Sequence, residues 1–219
     1  MTDAATYDRT RTSLHIVSES LLAGPQHRRS GTIRLSARPD GFRTLDIDDD
    51  VRSIGVHGSD LVVTRAEGAL VVPLGGTLGD LAERTSIDVG PPVGVYHLLL
   101  PSDPATPIEV DPDAAQIVQE SLAAGDAALR RLVPDEEPVL WCEHFDVGIQ
   151  AQECNLGVSP GDHFLAVPYA YVGPWKRRAG DFWDQPFGSA RPLSELGGDD
   201  GIVEYLREGL RRAAEDPLA

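Results

Sequence analysis

His144 and Asp146 are two residues apart and of types that perform acid–base chemistry. Read as part of one long strand over 139–152, the alternation of side chains puts Cys142, His144, Asp146 and Gln150 on one face. Trp141, Glu143, Phe145, Val147 and Ile149 take the other, mostly core, face. A carboxylate beside an imidazole can orient the ring, poise it for proton transfer, or share a metal with it. The plainer alternative is a buried His–Asp hydrogen bond that only holds the strand. Farther on, Tyr169 and Tyr171 share one face of a second expected strand, and Trp175 follows Gly173-Pro174. With Trp141 these rings would line a pocket for a planar or sugar-like small molecule.

Nine of the thirteen aromatic residues fall between Trp141 and Phe187, which marks that span as either the densest core or a pocket. Asp162 and His163, after a Pro160-Gly161 turn, form a second polar cluster. If the turn folds back on His144 and Asp146, four ligands would suit a transition metal and a metal-dependent hydrolase. No helical H-E-x-x-H pair supports that alternative, so no metal or cofactor is assigned. Cys142 beside His144 lacks the positive surroundings that lower a thiol pKa, and Ser159 lacks the frame of a nucleophile elbow. Gly75-Gly76 matches no nucleotide-binding loop.

The elements that must position these groups read as a mixed fold. A helix capped at Thr12 or Ser13 carries Leu14, Val17, Leu21 and Leu22 and stops at Gly24-Pro25. An antiparallel meander follows over 32–37, 42–47, 51–56, 61–65 and 69–74, separated by Asp- and Gly-rich turns. Thr77 and Asp80 form a capping box, a small strand is expected over 95–100, and Asp111-Pro112 starts a long helix ending at Pro134. The long strand over 139–152, a strand over 166–173 and a helix over 201–214 complete the chain. The expected fold class is α+β, a largely antiparallel sheet with three or four flanking helices. It reads as a single domain over 1–219 that could subdivide at the Pro134–Pro138 linker.

Charge limits the partners. With 19 basic and 35 acidic residues the chain carries a formal charge of −16, which repels nucleic acid and anionic membranes. The basic clusters, His27-Arg28-Arg29 and Lys176-Arg177-Arg178, are too short for a phosphate track. No apolar run approaches the roughly 18 residues of a membrane span, and the polar start lacks a signal peptide's apolar core, so a soluble cytoplasmic protein is expected. Two cysteines, Cys142 and Cys154, are too few for a disulfide scaffold.

In motif order the chain resembles a widespread bacterial family of uncharacterised proteins. The resemblance rests on Ser13-Leu14-His15, Val72-Pro73-Leu74, Asp111–Ala115 and His144-Phe145-Asp146, with Leu-Trp-Cys-Glu where the family has a bulkier aromatic lead-in. It implies one integrated domain, draws attention to His15, and carries over no activity and no catalytic residue. Three functions follow as expectations. One is a small-molecule-binding protein or enzyme around His144 and Asp146. The others are a non-catalytic module that forms a homodimer and the metal-dependent hydrolase.

Overall fold

The computed structural model describes every residue except Met1 and Leu99. The first helix, α1 (Ala4–Val17), begins eight residues ahead of the expected cap at Thr12, because Asp3 accepts the amides of Ala5 and Thr6 at 3.0 Å. Tyr7, Thr10 and Leu14 then recur on the buried face at helical spacing, which makes the polar opening stretch part of the helix.

Gly24-Pro25 does not end that helix. A π turn (Ser18–Ala23) follows α1 directly, and α2 (Gly24–Ser30) continues it until Gly31 closes the end in the left-handed region, φ 77°. The proline explains the wider turn. Pro25 sits in the first turn of α2, where a missing N–H costs least. Gly24 donates five residues back to the carbonyl of Glu19. The next carbonyl, Ser20, is one that proline cannot serve; the amide of Gly90 bonds it at 2.9 Å.

The meander forms close to its expected bounds, as β1 (Arg34–Arg38), β2 (Gly41–Thr44), β3 (Val51–His57), β4 (Asp60–Arg65) and β5 (Gly68–Pro73). Helix α3 (Leu78–Thr85) opens with the Thr77–Asp80 capping box, and α4 (Pro112–Leu132) follows Asp111, whose carboxylate accepts the amide of Ala114. The described part of the expected strand over 95–100 is turn and coil, and Leu99 lies outside the described residues.

The expected single strand over 139–152 is two strands. β6 (Val139–Trp141) ends in a turn over 142–145, and β7 (Asp146–Ala151) begins after it. Phe145 is the cause: its φ is 52°, in the left-handed region that an aromatic residue rarely enters, and its amide closes the turn on the Trp141 carbonyl at 2.8 Å. Next come β8 (Cys154–Ser159), β9 (Tyr169–Pro174), β10 (Ser189–Pro192) and α5 (Asp199–Glu215).

The result is an α+β fold with ten strands among the described residues, whose described pairings are all antiparallel. The chain divides into two compact units, one holding the residues up to Glu120 with Leu140–Phe145, the other Ser121–Val139 with Asp146–Ala219. In the first, the strand order is β6-β1-β2-β3-β4-β5, with the π turn packed against β1, β2, β3 and α3 around Leu21, Leu22, Phe42 and Ile54. In the second the order is β10-β9-β8-β7, and α5 packs on β8 and β9. The Pro134–Pro138 segment lies inside this second unit. Among the described residues no helix is long and apolar enough to cross a membrane.

Candidate functional site

A set of reactive groups, buried or half-buried, gathers on the π turn of the first unit. His15 and Glu19 are four residues apart and so share one helix face. Glu19 is 4 % exposed, and its carboxyl is hydrogen-bonded to the Tyr96 hydroxyl. That hydroxyl also lies 3.3 Å from the Cys142 sulfur. A continuous path therefore runs from thiol to phenol to carboxyl, with one exchangeable proton available at each step.

Three devices hold the path in place. Arg28 reaches across from α2 and clamps the loop before Tyr96, donating to the carboxylate and carbonyl of Asp88 and to the carbonyl of Gly90. Gly24 lets that loop come close: a Cβ there would lie 1.8 Å from the Gly90 carbonyl oxygen. On the other side the 142–145 turn presents Cys142. His15 Nε2 lies 2.7 Å from the Cys142 carbonyl. A carbonyl only accepts, so the proton of His15 sits on Nε2. The His15 ring also stacks on Phe145, 5.2 Å between centroids and 13° between planes, and Phe42 meets Phe145 edge-on at 5.4 Å.

Burial sets the protonation states. It pushes the Glu19 carboxyl up to about 7; the Tyr96 hydrogen bond opposes that rise and the Glu143 charge adds to it. Burial also pushes the His15 imidazole down to about 4, so this histidine is neutral near pH 7. The Cys142 thiol is pushed up to about 12, again by burial first, which keeps it protonated. Tyr96 moves well up from its ordinary value through burial and through its bonds to Cys142 and Glu19. Among the described residues no cation pairs with Glu19, and the residue equilibrates between acid and base near neutrality.

The expected site residues are distributed between the two units. His144 is in the turn of the first unit, its side chain 69 % exposed and its Nε2 3.5 Å from Glu143. Trp141, half-buried, ends β6 just before Cys142. Asp146 starts β7 in the second unit, is buried, and accepts the Tyr171 hydroxyl. The alternation that puts His144 and Asp146 on one face needs an unbroken strand, which the left-handed Phe145 interrupts. Tyr171 is half-buried; a Cβ on Gly157 would lie 2.5 Å from its hydroxyl, so the glycine makes room for the ring. Tyr169 donates to Asp162 at 2.7 Å, and Trp175, exposed, donates to Asn155 at 3.2 Å. The His163 ring lies tilted against Phe164, 4.0 Å between centroids and 42° between planes.

Among the described residues no three His, Cys, Asp or Glu side chains are grouped to hold a metal ion. In the second unit a groove of about 700 Å³ lies between the end of α4 (Leu132), the β7–β8 hairpin (Gln150, Gln152) and α5 (Arg207, Arg211). Its arginines are already paired with Glu204, Glu208 and Glu215.

Sequence reasoning singled out His15 and Cys142 but missed Glu19 and Tyr96. One signal for Glu19 was present: an acid at helical spacing between the apolar residues Val17 and Leu21–Ala23, just ahead of Gly24-Pro25. Comparison of the chain with protein-family models, with curated proteins and with solved structures finds no match in any of the three.

Proposed function

We propose that this is a small-molecule-binding protein or enzyme whose chemistry is proton transfer at Glu19, relayed by Tyr96, with Trp141, Glu143 and His144 at the rim. The observation that carries this reading is a carboxyl that is 4 % exposed, faces a phenol and a thiol, and lacks a cationic partner among the described residues. A carboxyl needed only for stability is ordinarily supplied with a guanidinium or with backbone N–H donors when it is buried. One left to titrate near neutrality has the property a general acid or base requires. A π turn at the same place supports the reading, because such turns recur at functional sites.

The test is ligand-observed NMR of a fragment library against the wild-type chain and Glu19→Gln. Fragments are expected to bind the wild type and to weaken about tenfold in the variant, the loss of one charge-assisted hydrogen bond. Equal binding to both proteins, or no binding to either, sinks the proposal.

A second reading, self-association, is favoured by β5. This edge strand carries no charged residue, and Leu70 and Val71 are exposed on it. Val71→Lys should convert a dimer to a monomer in light scattering; a wild-type monomer at 100-fold differing concentrations removes that reading.

A further inference from the structure

We propose that β5 pairs with β5 of a second copy of the chain, antiparallel about a two-fold axis at Leu70, so that Leu70 meets Leu70 and Glu67 of each copy meets Arg84 of the other. The proposal rests on the self-association reading above and adds a register to it, which is tested separately.

The backbone of β5 has an open side. In an antiparallel ladder successive residues turn their N–H and C=O groups alternately toward the neighbouring strand and away from it. The Leu74 amide bonds the Ser59 carbonyl at 2.9 Å, in line with the β4–β5 register, and this fixes the alternation. Leu70, Val72 and Leu74 face β4, whereas Ala69, Val71 and Pro73 face outward. Pro73 has no N–H, and its carbonyl already accepts from Arg84 at 3.4 Å. Ala69 and Val71 are left with two N–H and two C=O groups that meet no partner among the described residues. Nothing shields them, for Ala69 is exposed, Leu70 is 42 % and Val71 56 % exposed. The outer strand of the second unit, β10, is guarded by a charge at Arg191 and by a terminal proline, Pro192.

One pairing uses all four open groups. With Leu70 opposite Leu70, Ala69 of each copy stands opposite Val71 of the other, and each such pair exchanges two hydrogen bonds. A shift of two residues one way sets Ala69 against Pro73, which cannot donate; the opposite shift sets Val71 against Glu67, in the turn. The same register aligns the charges. Glu67 comes opposite Pro73, where Arg84 is anchored, and both residues are exposed and outside every ion pair among the described residues. An acid at one end of the strand and a guanidinium at the other complement each other when the added strand is an antiparallel copy, which selects this chain over an unrelated extended segment. The net charge of −16 opposes approach at long range, but physiological salt screens it beyond about 8 Å.

Disulfide trapping reads the register. Directly opposed residues bring their Cβ atoms to about 5 Å, near disulfide reach, whereas the two copies of Val71 are offset by two residues. Both native cysteines are buried, which leaves an introduced thiol at the edge as the exposed one. Under mild oxidation Leu70→Cys should form a dimer joined at residue 70 about tenfold faster than Val71→Cys does. Equal rates, or no covalent dimer from Leu70→Cys, overturn the register even where light scattering shows that the wild type dimerises; a wild-type monomer removes the self-association reading and this proposal with it. Charge exchange tests the same register without a cysteine. In sedimentation equilibrium Glu67→Arg and Arg84→Glu should each weaken dimerisation about tenfold, and the two together in one chain should restore it. Further weakening in the double variant overturns the proposal.

Discussion

The two units each hold phenol–carboxyl pairs, and they use them in opposite ways. In the second unit Asp162 accepts the amides of Phe164 and Leu165 at 2.7 and 3.2 Å before it receives Tyr169. Backbone donors make that carboxylate the peg of a turn. In the first unit Glu19 projects from a helical turn, and its carboxyl is hydrogen-bonded to a phenol that lies beside a thiol. The same two functional groups thus give a structural fastener where main-chain N–H groups converge, and a titrating site where they do not.

Gly24→Ala should break this comparison most severely. The new Cβ would collide with backbone at Gly90, which cannot swing aside as a side chain can. Denaturant unfolding should register a loss of about 3 kcal/mol. With the loop displaced, Glu19 should titrate at an ordinary carboxylate value. Gly157→Ala presses on the Tyr171 ring instead and should cost somewhat less, about 2 kcal/mol, without moving the Glu19 titration.

Next in size is a crossed dependence on pH. Glu19 titrates near 7 when folded against an ordinary 4.5, so its contribution is complete below pH 4.5 and is lost as pH rises through 7. His15 runs the other way: folded it titrates near 4 against an ordinary 6.5, so stability falls as pH drops from 6.5 through 4. The two slopes cancel between pH 4.5 and 6.5 and give the wild type a plateau there. Glu19→Gln should expose the rising limb alone, and His15→Gln the falling one. Each limb spans at most about 3 kcal/mol, with water at the rim screening part of it. Urea midpoints at half-unit pH steps measure both, and parallel profiles in the two variants would contradict the assignment.

Asp162→Ala should sharpen the comparison from the other side. Removal of two main-chain bonds and the Tyr169 bond should cost about 2 kcal/mol in urea midpoint. The Glu19 titration should stay where it is, since Asp162 belongs to the other unit.

Most of the fold was legible because it rests on local chemistry. The meander announced itself through turns such as Pro39-Asp40-Gly41 and Gly58-Ser59-Asp60, and α3 through its capping box. The failures share a cause, since each depends on a partner far along the chain. Pro25 looks like a helix stop until Gly90 supplies the missing hydrogen bond. Phe145 reads as an ordinary strand residue, yet it adopts a left-handed backbone where its ring stacks on His15. From that one misread residue came the expectation that His144 and Asp146 face the same way. Strand β8 falls between the expected strands over 139–152 and 166–173, where Asn155, Gly157 and Ser159 carry little strand propensity; Gly157 is there to admit Tyr171. The site followed the same logic. The resemblance drew attention to His15, and Cys142 was read as lacking the surroundings of a nucleophile, but Glu19 and Tyr96, 77 positions apart, become a pair only when the π turn and the loop dock.

Tyr96→Phe is the smallest and most discriminating perturbation. It deletes one hydroxyl, keeps the ring, and should cost about 1 kcal/mol. Its effect on Glu19 separates a relay from a simple fastener. The Tyr96 hydrogen bond lowers the Glu19 value while burial raises it. Without the hydroxyl the carboxyl should therefore titrate still higher, and the falling limb of the stability profile should extend further above pH 7. Tyr169→Phe removes the matching hydroxyl from Asp162 and should cost a similar amount, yet it should leave that limb in place. Carbon-13 chemical shifts of the Glu19 carboxyl across the titration measure the first effect directly, and a downward or absent shift in Tyr96→Phe would show that the phenol does not control the proton on Glu19.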